Sequence, residues 1–382
     1  TWAEARARED VAHFLPALQK VVALRGEEAM ALADGGDRYD ALLDEYEPDA
    51  TGAQIAAMFD RMRPRLRALR DAARAAADQP APLLGEFDRA AQLRLARQLA
   101  EVFGYDFQRG RLDLAVHPFS SGAGDDVRIT TRVIETDPFN CFYSTIHEVG
   151  HAAYEQNIDP AYALGRLGRG VSMGVHESQA RLYENQIGRS RAFCGWLYER
   201  ICAEFGDCGI DGPEAFYATV NRLADGFIRN EADEVQYNLH IMLRFDLERA
   251  LIGGDLKVRD LEAAWNGRFE SDFGYAVDRP SHGMLQDVHW AIGLFGYFPT
   301  YSLGNVYAGC LMQAMRADLP DLDASLAEGD PSPATDWLRK KVQIHGSRLT
   351  PGETIEAACG FAPHEGPLLD YLEAKFRALY AL

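Results

Sequence analysis

The sequence predicts a mostly α-helical protein that folds as one large domain with a single small β-sheet. Apolar residues recur every three to four positions through residues 1–104 and again through 136–382, the spacing of helices that bury one face. Only residues 105–135 alternate between apolar and polar side chains, which is the period of a half-buried strand. No internal repeat divides the chain, so we expect residues 1–382 to form one domain.

The N-terminal part of the chain, residues 1–104, is expected to contain several helices. Its first helical pattern consists of apolar residues at positions Trp2, Phe14, Leu15, Leu18, Val21 and Val22. An alanine- and arginine-rich run over residues 58–78 has the composition of a helix with a solvated face. The prolines within residues 79–82 then break the pattern, and a further helix is predicted over roughly residues 86–103.

Residues 105–135 are expected to form a small β-hairpin. The alternating apolar positions are Leu112, Leu114 and Val116 in the first strand and Val127, Ile129 and Thr131 in the second. The polar, glycine-containing residues 120–124 between them predict the turn. Asp137 and Pro138 then provide a helix N-cap and a first helical position, so helical structure should resume there.

The charge and the cysteines limit the possible partners and compartment. With 39 basic and 58 acidic residues, the net charge of −19 repels nucleic-acid backbones and anionic membrane surfaces. The six cysteines contain no CxxC pair, so we expect free thiols in a reducing compartment. No stretch is apolar for long enough to cross a membrane, and the first residues lack the apolar core of a signal peptide. The expected localisation is therefore cytoplasmic.

A metal-binding pattern occurs near the middle of the chain, at His147-Glu148-Val149-Gly150-His151. Positions i and i+4 of a helix lie on one face, so both imidazoles can reach one ion while Glu148 stands beside them. A catalytic zinc site usually needs a third protein ligand. Glu177 could supply a carboxylate, although a first-turn acid favoured by the helix dipole explains it equally well.

With these residues in view, the sequence resembles the M32 carboxypeptidases, the thermostable carboxypeptidase Taq type. Five short motifs of that family occur in family order: Asp126-Val127-Arg128-Ile129-Thr130, His147 to His151, His176-Glu177-Ser178-Gln179, Ile228-Arg229-Asn230-Glu231-Ala232-Asp233, and Gly283-Met284-Leu285-Gln286-Asp287-Val288-His289-Trp290. The resemblance implies that Glu177 is the third metal ligand. Family members also carry an N-terminal helical segment before the counterpart of Trp2, and we expect that segment to be missing here.

The expected chemistry assigns further roles around the ion. Glu148 would act as general base on a water molecule acidified by zinc. Asp287 is the expected acceptor for the second N–H of a ligating imidazole, with a helix-cap or surface role as the alternative. The tetrahedral intermediate needs a hydrogen-bond donor besides the ion, for which His289 is the first candidate and Tyr301 the second, with Tyr297 competing.

A cation is also needed, because the acidic chain repels the carboxylate of a peptide C-terminus. Arg229 is the expected partner of that carboxylate, since a guanidinium matches it with two hydrogen bonds and the resemblance marks this residue. The alternative for Arg229 is an i,i+4 ion pair with Asp233. Arg128, on one strand face with Asp126 and Thr130, is kept as a supporting substrate or structural contact, or simply part of an exposed sheet surface.

Together these expectations predict a zinc-dependent metallocarboxypeptidase that releases single C-terminal residues with broad specificity from peptides with a free C-terminus. Cobalt or manganese could use the same ligands. The resemblance implies a homodimer and a gluzincin-like fold, in which we expect a deep cleft with the metal at its floor and the small sheet beside it. The alternatives are an oligoendopeptidase, a dipeptidyl carboxypeptidase, or a zinc-binding helical scaffold without turnover.

Overall fold

The computed structural model describes all residues from Thr1 to Leu382 and is mostly helical, as predicted. The α-helices are α1 (Trp2–Arg8), α2 (Val11–Leu32), α3 (Arg38–Leu43), α4 (Gly52–Ala75), α5 (Arg89–Val102), α6 (Pro138–Asn157), α7 (Met173–Arg181), α8 (Arg191–Phe205), α9 (Pro213–Val220), α10 (Glu234–Gly253), α11 (Leu261–Phe273), α12 (Pro299–Asp318), α13 (Leu322–Ala327), α14 (Ser332–Lys341), α15 (Pro351–Cys359) and α16 (Gly366–Tyr380). The strands are β1 (Leu112–Leu114), β2 (Ser120–Ala123) and β3 (Asp126–Thr131). None of the helices is both long and apolar enough to span a bilayer.

The chain forms two compact units, and each unit is built from separated stretches of the sequence. The first unit contains residues 1–76, 223–302 and 372–382. Its central element is α10, which packs on α2, α3, α4 and α11 and buries residues all along its length. The Asp233 side chain accepts hydrogen bonds from the first backbone amides of α10, and Gly254 ends the helix in a left-handed conformation at φ 88°.

The second unit contains residues 77–222 and 303–371. Its central element is α6, which packs against α5, α7 and β3. As predicted, Asp137 caps α6 by accepting a hydrogen bond from the Asn140 amide, and Pro138 occupies the first turn. At Gly150 a Cβ atom would lie 2.6 Å from Cα of Ala180, so α6 and α7 are in backbone contact there. This contact brings the two helices that carry the metal motif and its proposed third ligand together.

The small sheet is present, but its pairing differs from the predicted hairpin. The strand order is β1-β3-β2, with β1 parallel to β3 and β2 antiparallel to β3. Residues 120–123, predicted as the turn, form β2, and the chain reverses at residues 124 and 125. Strand β2 is short, polar and largely exposed. A strand without buried apolar positions has no alternating pattern, so the sequence could not reveal it.

All six cysteines are free, which confirms the prediction that none is part of a disulfide. Four of the six thiols are buried, and two are partly exposed. Burial raises the pKa of the Cys141 thiol to about 11, so this cysteine is a neutral, apolar component of the core. No disulfide therefore contributes to the tertiary structure.

The carboxyl group of Glu248 on α10 is completely buried in the first unit. It accepts hydrogen bonds from the Tyr39 hydroxyl at 2.8 Å, the Trp290 indole N–H at 2.8 Å and the Gly296 amide at 3.2 Å. Burial raises the pKa of Glu248 to about 7, although the hydrogen bonds from Trp290 and Tyr39 oppose the shift. The carboxyl thus ties α3 and the 290–296 segment to α10.

This raised pKa makes the stability of the protein depend on pH. An unfolded glutamate has a pKa of about 4.3, so folding takes up a proton at Glu248 between roughly pH 4.3 and 7 and stability falls as pH rises through that range. We expect the stability of the wild type relative to Glu248→Gln to fall by up to about 3 kcal/mol between about pH 5 and 8. Denaturant unfolding at several pH values would measure this, with the exposed Glu270→Gln as control. A difference that does not change with pH would contradict the assignment.

Candidate metal centre

The three expected ligands come together in the second unit. Oε2 of Glu177 lies 3.8 Å from Nε2 of His147 and 3.4 Å from Nε2 of His151. All three ligand atoms lie within 4.8 Å of one another. A tetrahedral ion with bonds of about 2.1 Å holds its ligand atoms about 3.4 Å apart, so one ion fits between them. The two imidazoles and one carboxylate leave a fourth position, as catalytic zinc sites require.

Close packing fixes the carboxylate ligand in this position. A Cβ atom on Gly304 would lie 2.5 Å from Cγ of Glu177, so α12 leaves room for the ligand only because this residue is glycine. The Arg181 guanidinium donates to Oε1 of Glu177 at 2.7 Å, which directs Oε2 towards the imidazoles. Glu177 is almost completely buried. It can therefore adopt few other orientations.

The His147 ring is oriented by a carboxylate that the sequence analysis did not single out. Nδ1 of His147 lies 2.9 Å from Oε2 of Glu184. A proton on Nδ1 leaves Nε2 free to bind an ion. Glu184 lies in a π-helical turn, Leu182–Gly188, and forms ion pairs with Arg181 and Arg189 at 3.4 Å each. Burial would raise the pKa of Glu184, but His147 and Arg181 lower it to about 2, so the acceptor is ionised.

The His151 ring has a different partner, a second imidazole. Its Nδ1 lies 2.8 Å from Nδ1 of His176, whose Nε2 lies 2.9 Å from Oε1 of Glu155. The expectation that Asp287 accepts the second N–H of a ligating imidazole is therefore wrong. Glu184 and His176 already occupy the second nitrogens of the two rings, and Asp287 is bound to two arginines instead.

The proposed base stands beside the ligands in a nearly closed environment. Glu148 is 6% exposed, and burial raises its pKa to about 7, with Glu177 adding to the shift and His147 opposing it. Burial would also raise the pKa of Glu177, but Arg181 and the two imidazoles hold it well below its usual range. Burial lowers the pKa of His151 to about 4, so this ring is neutral, the form that binds a metal. A bound cation would favour the ionised, basic form of Glu148.

A second group of expected residues lies in the first unit. Arg229 is 4% exposed and lies in a one-turn 3-10 helix, Arg229–Glu231, rather than at the start of a long helix. Its Nε and Nη2 atoms donate to Oδ1 of Asp287 at 3.2 and 2.9 Å, and its Nη1 donates to the Tyr237 hydroxyl at 3.1 Å. The ion pair with Asp233, offered as the alternative, does not form, because Asp233 caps α10.

Asp287 is the centre of this group. Its second oxygen accepts from Nε of Arg244, a residue that is completely buried, at 2.7 Å. Burial would raise the pKa of Asp287, but Arg229 and Arg244 hold it far below its usual range. The carboxylate is therefore charged and fixes both guanidinium groups.

The two candidate oxyanion donors lie in contact with each other. Nε2 of His289 is 3.2 Å from the Tyr301 hydroxyl. Burial lowers the pKa of His289 to about 4, so the ring is neutral at physiological pH. The Tyr297 ring, the competing candidate, lies 5.7 Å from the His289 ring and 5.4 Å from the Tyr301 ring, measured between centroids. All three aromatic side chains thus form one cluster.

Arg128 occupies an exposed position on β3. Its Nε and Nη2 atoms both bind Asp126 at 2.8 Å. The expected common face is only partly realised, because Thr130 is buried and hydrogen-bonded to Phe119 whereas Arg128 and Asp126 are exposed. These contacts favour the exposed-surface alternative for Arg128.

Comparison with known proteins decides the family. The family profile described as Carboxypeptidase Taq (M32) metallopeptidase matches residues 1–376. The chain belongs to the M32 family. The resemblance carried by the five motifs is confirmed, and this M32 chain is a metallocarboxypeptidase, a hydrolase.

Relatives and solved structures agree with this assignment. The chain is 42% identical to Thermostable carboxypeptidase 1 of Thermus thermophilus, over 99% of this chain and 77% of the relative, and 39% identical to Carboxypeptidase 1 of Bacillus subtilis, over 100% and 77%. Among solved structures, an M32 carboxypeptidase from Deinococcus radiodurans R1 matches with a TM-score of 0.97 at 42% identity, over 100% of this chain and 78% of that one. The similarity therefore extends along the whole M32 chain.

Proposed function

We propose that this M32 carboxypeptidase holds a zinc ion with His147, His151 and Glu177 and releases single residues from peptide C-termini with broad side-chain preference. The observation that carries the proposal is the convergence of these three ligand atoms on one point, beside a buried glutamate at the second position of the HExxH motif. A purely structural zinc site closes its fourth position with a protein ligand and needs no such base. Cobalt or manganese would suit the same ligands.

The chemistry follows from the positions of the side chains. When bound, the ion would polarise the scissile carbonyl and make a water molecule more acidic. Glu148 would take a proton from the attacking water and deliver it to the leaving amine. A proton on Nδ1 of His147, facing the ionised Glu184, would keep the opposite ring nitrogen free as a ligand. His289 and Tyr301 remain our candidates for the donor to the oxyanion, with Tyr297 third.

Arg229 remains our candidate for the substrate carboxylate. A guanidinium has five N–H groups, and three of those of Arg229 are used by Asp287 and Tyr237. The two remaining N–H groups could form a paired contact with a carboxylate, and Asp287 holds the group in a fixed orientation.

Replacing Arg229 by Lys is expected to raise KM for an unblocked peptide by about tenfold to a hundredfold, since a hydrogen bond to a charged group contributes about 1.5–3 kcal/mol. The lysine keeps the positive charge but not the planar pair of donors. Steady-state kinetics would measure the change, with Arg259→Lys as the control because the Arg259 side chain is 82% exposed and has no proposed role. An unchanged KM for Arg229→Lys would assign this arginine a structural role only.

The decisive functional experiment compares one peptide in two forms, with a free C-terminus and with a C-terminal amide, incubated with the zinc-loaded enzyme. We expect stepwise release of single amino acids from the free peptide and none from the amide, as identified by mass spectrometry. An oligoendopeptidase would cut both forms internally, and a dipeptidyl carboxypeptidase would release dipeptides. Bound zinc without any product would support the inactive scaffold.

A further inference from the structure

We propose that His176 and Glu155 are positioning residues that fix the tautomer of His151, and that the backbone at Gly170 completes this arrangement. The inference rests on the proposed metal site, because it concerns how one ligand of that site is held. The three residues and His151 are called the His151 relay below. The contacts below occupy both ring nitrogens of His176 and one carboxylate oxygen, Oε1, of Glu155.

The relay is a continuous chain of hydrogen bonds. Nδ1 of His151 meets Nδ1 of His176 at 2.8 Å, and Nε2 of His176 meets Oε1 of Glu155 at 2.9 Å. The same carboxylate oxygen accepts the backbone N–H of Gly170 at 3.1 Å. Glu155 is therefore the end of the chain, and an ionised carboxylate can accept hydrogen bonds but cannot donate them.

This direction determines the position of each proton. Because the carboxylate of Glu155 accepts, Nε2 of His176 carries a proton. We assign Nδ1 of His176 as the acceptor in the contact between the two rings, which places the shared proton on Nδ1 of His151. Nε2 of His151 is left with a lone pair, and it is this atom that lies 3.4 Å from Oε2 of Glu177. The relay thus selects the tautomer that can bind an ion.

Helix geometry and packing hold the relay in place. Glu155 follows His151 by four positions on α6, so both side chains lie on the same face of the helix. The Tyr154 ring lies 5.1 Å from that of His176, and its hydroxyl accepts the Val171 amide at 3.3 Å. The segment before α7 is thereby attached to α6 at two successive residues. These attachments leave the His176 ring little freedom to turn.

Gly170 contributes to the relay through its small size as well as through its backbone N–H group. A Cβ atom at this position would lie 2.6 Å from Cδ2 of His176 and 3.1 Å from Cε1 of Tyr154. An alanine here would force the His176 ring or the backbone at position 170 to move, and so disturb the relay, yet it would remove no donor, acceptor or ligand. Gly165, in the same segment, has its nearest contact at 3.4 Å and therefore tolerates a Cβ atom. The two glycines make a matched pair for an experiment.

We expect Gly170→Ala to raise the zinc dissociation constant by about 10- to 100-fold, the usual effect of losing a partner that orients a metal ligand. Glu155→Gln, which keeps the shape but removes the charge at the end of the relay, is expected to act in the same direction. Zinc affinity would be measured on the metal-free protein by competition with a chelating dye. Gly165→Ala should bind zinc as the wild type does.

A spectroscopic measurement separates orientation of the ligand from general damage to the fold. Long-range ¹H–¹⁵N spectra of the histidine-labelled metal-free protein distinguish protonated Nδ1 from protonated Nε2, and His151→Ala assigns the signal. The wild type should show His151 protonated at Nδ1, and Glu155→Gln should weaken or reverse this preference. Circular dichroism checks that each variant is folded, and if Gly170→Ala does not fold, the affinity and spectra of Glu155→Gln decide.

The outcomes separate this inference from the proposed function. If Glu155→Gln and a folded Gly170→Ala bind zinc as tightly as the wild type, with the His151 tautomer unchanged, the relay has no positioning role and the inference is overturned. If the wild type binds no zinc, or binds it equally well after His151→Ala, the proposed metal site itself is wrong. Weakened binding in the relay variants, with normal binding in Gly165→Ala, supports both.

Discussion

Glu148→Gln is expected to bind zinc normally and to lose turnover, with kcat falling by at least about 100-fold and up to about 10,000-fold. The amide has nearly the same shape as the carboxylate, so the packing around this buried side chain should be retained. It cannot take a proton from water at neutral pH, which is the role we propose for Glu148. Steady-state kinetics on an unblocked peptide, together with zinc analysis of the same sample, would measure both quantities.

The control for this variant is Glu199→Gln, because the Glu199 side chain is 70% exposed and has only a long ion pair at 3.9 Å. It should keep wild-type kcat and zinc content. If Glu148→Gln retains more than about a tenth of the wild-type kcat, then another group is the base. If it loses zinc, Glu148 contributes to the metal site itself and the division of roles proposed here fails.

Glu177→Ala is expected to remove both zinc binding and activity. The loss of affinity should exceed the roughly 10- to 100-fold that follows when only a partner of a ligand is removed, because one of three ligand atoms disappears. The variant also leaves the Arg181 guanidinium without its 2.7 Å contact to the carboxylate. Zinc titration of the metal-free protein would give the dissociation constant, and unfolding temperatures with and without zinc would show whether the ion still stabilises the fold.

Glu177→Gln distinguishes the loss of a ligand atom from the creation of a cavity, two effects that the alanine substitution combines. The amide keeps the side-chain volume beside Gly304, so a loss of zinc in this variant reflects ligand chemistry rather than a cavity. Wild-type zinc affinity in both variants would show that Glu177 is no ligand. The proposal for the metal site would then have to be abandoned.

The candidate metal ligands were predictable from the sequence because two of the three belong to one helical turn. The i and i+4 spacing of His147 and His151 defines a shared face without any knowledge of tertiary structure. Glu177 was undecided on spacing alone, and the resemblance carried by the family motifs favoured it as the third ligand. The mostly helical fold was predicted from apolar periodicity and is confirmed by the structure.

The partners of the ligands were not predictable, because they depend on contacts between distant segments. Glu184 lies in a π-helical turn, and apolar periodicity in the sequence does not predict such a turn. Asp287 is in a motif beside a histidine, so it seemed a suitable partner for an imidazole, but only the tertiary structure shows that two buried arginines neutralise it. The sheet was mispredicted for a related reason, since β2 is an exposed edge strand with no apolar face.

The backbone contact between α6 and α7 at Gly150 has a consequence for the spacing of the candidate ligands. Because a Cβ atom there would lie 2.6 Å from Cα of Ala180, any larger residue at position 150 would push the two helices apart. The imidazoles of His147 and His151 would then move away from the carboxylate of Glu177, which belongs to the other helix. The width of the candidate site is thus set by a hydrogen atom in place of a side chain, one residue before His151.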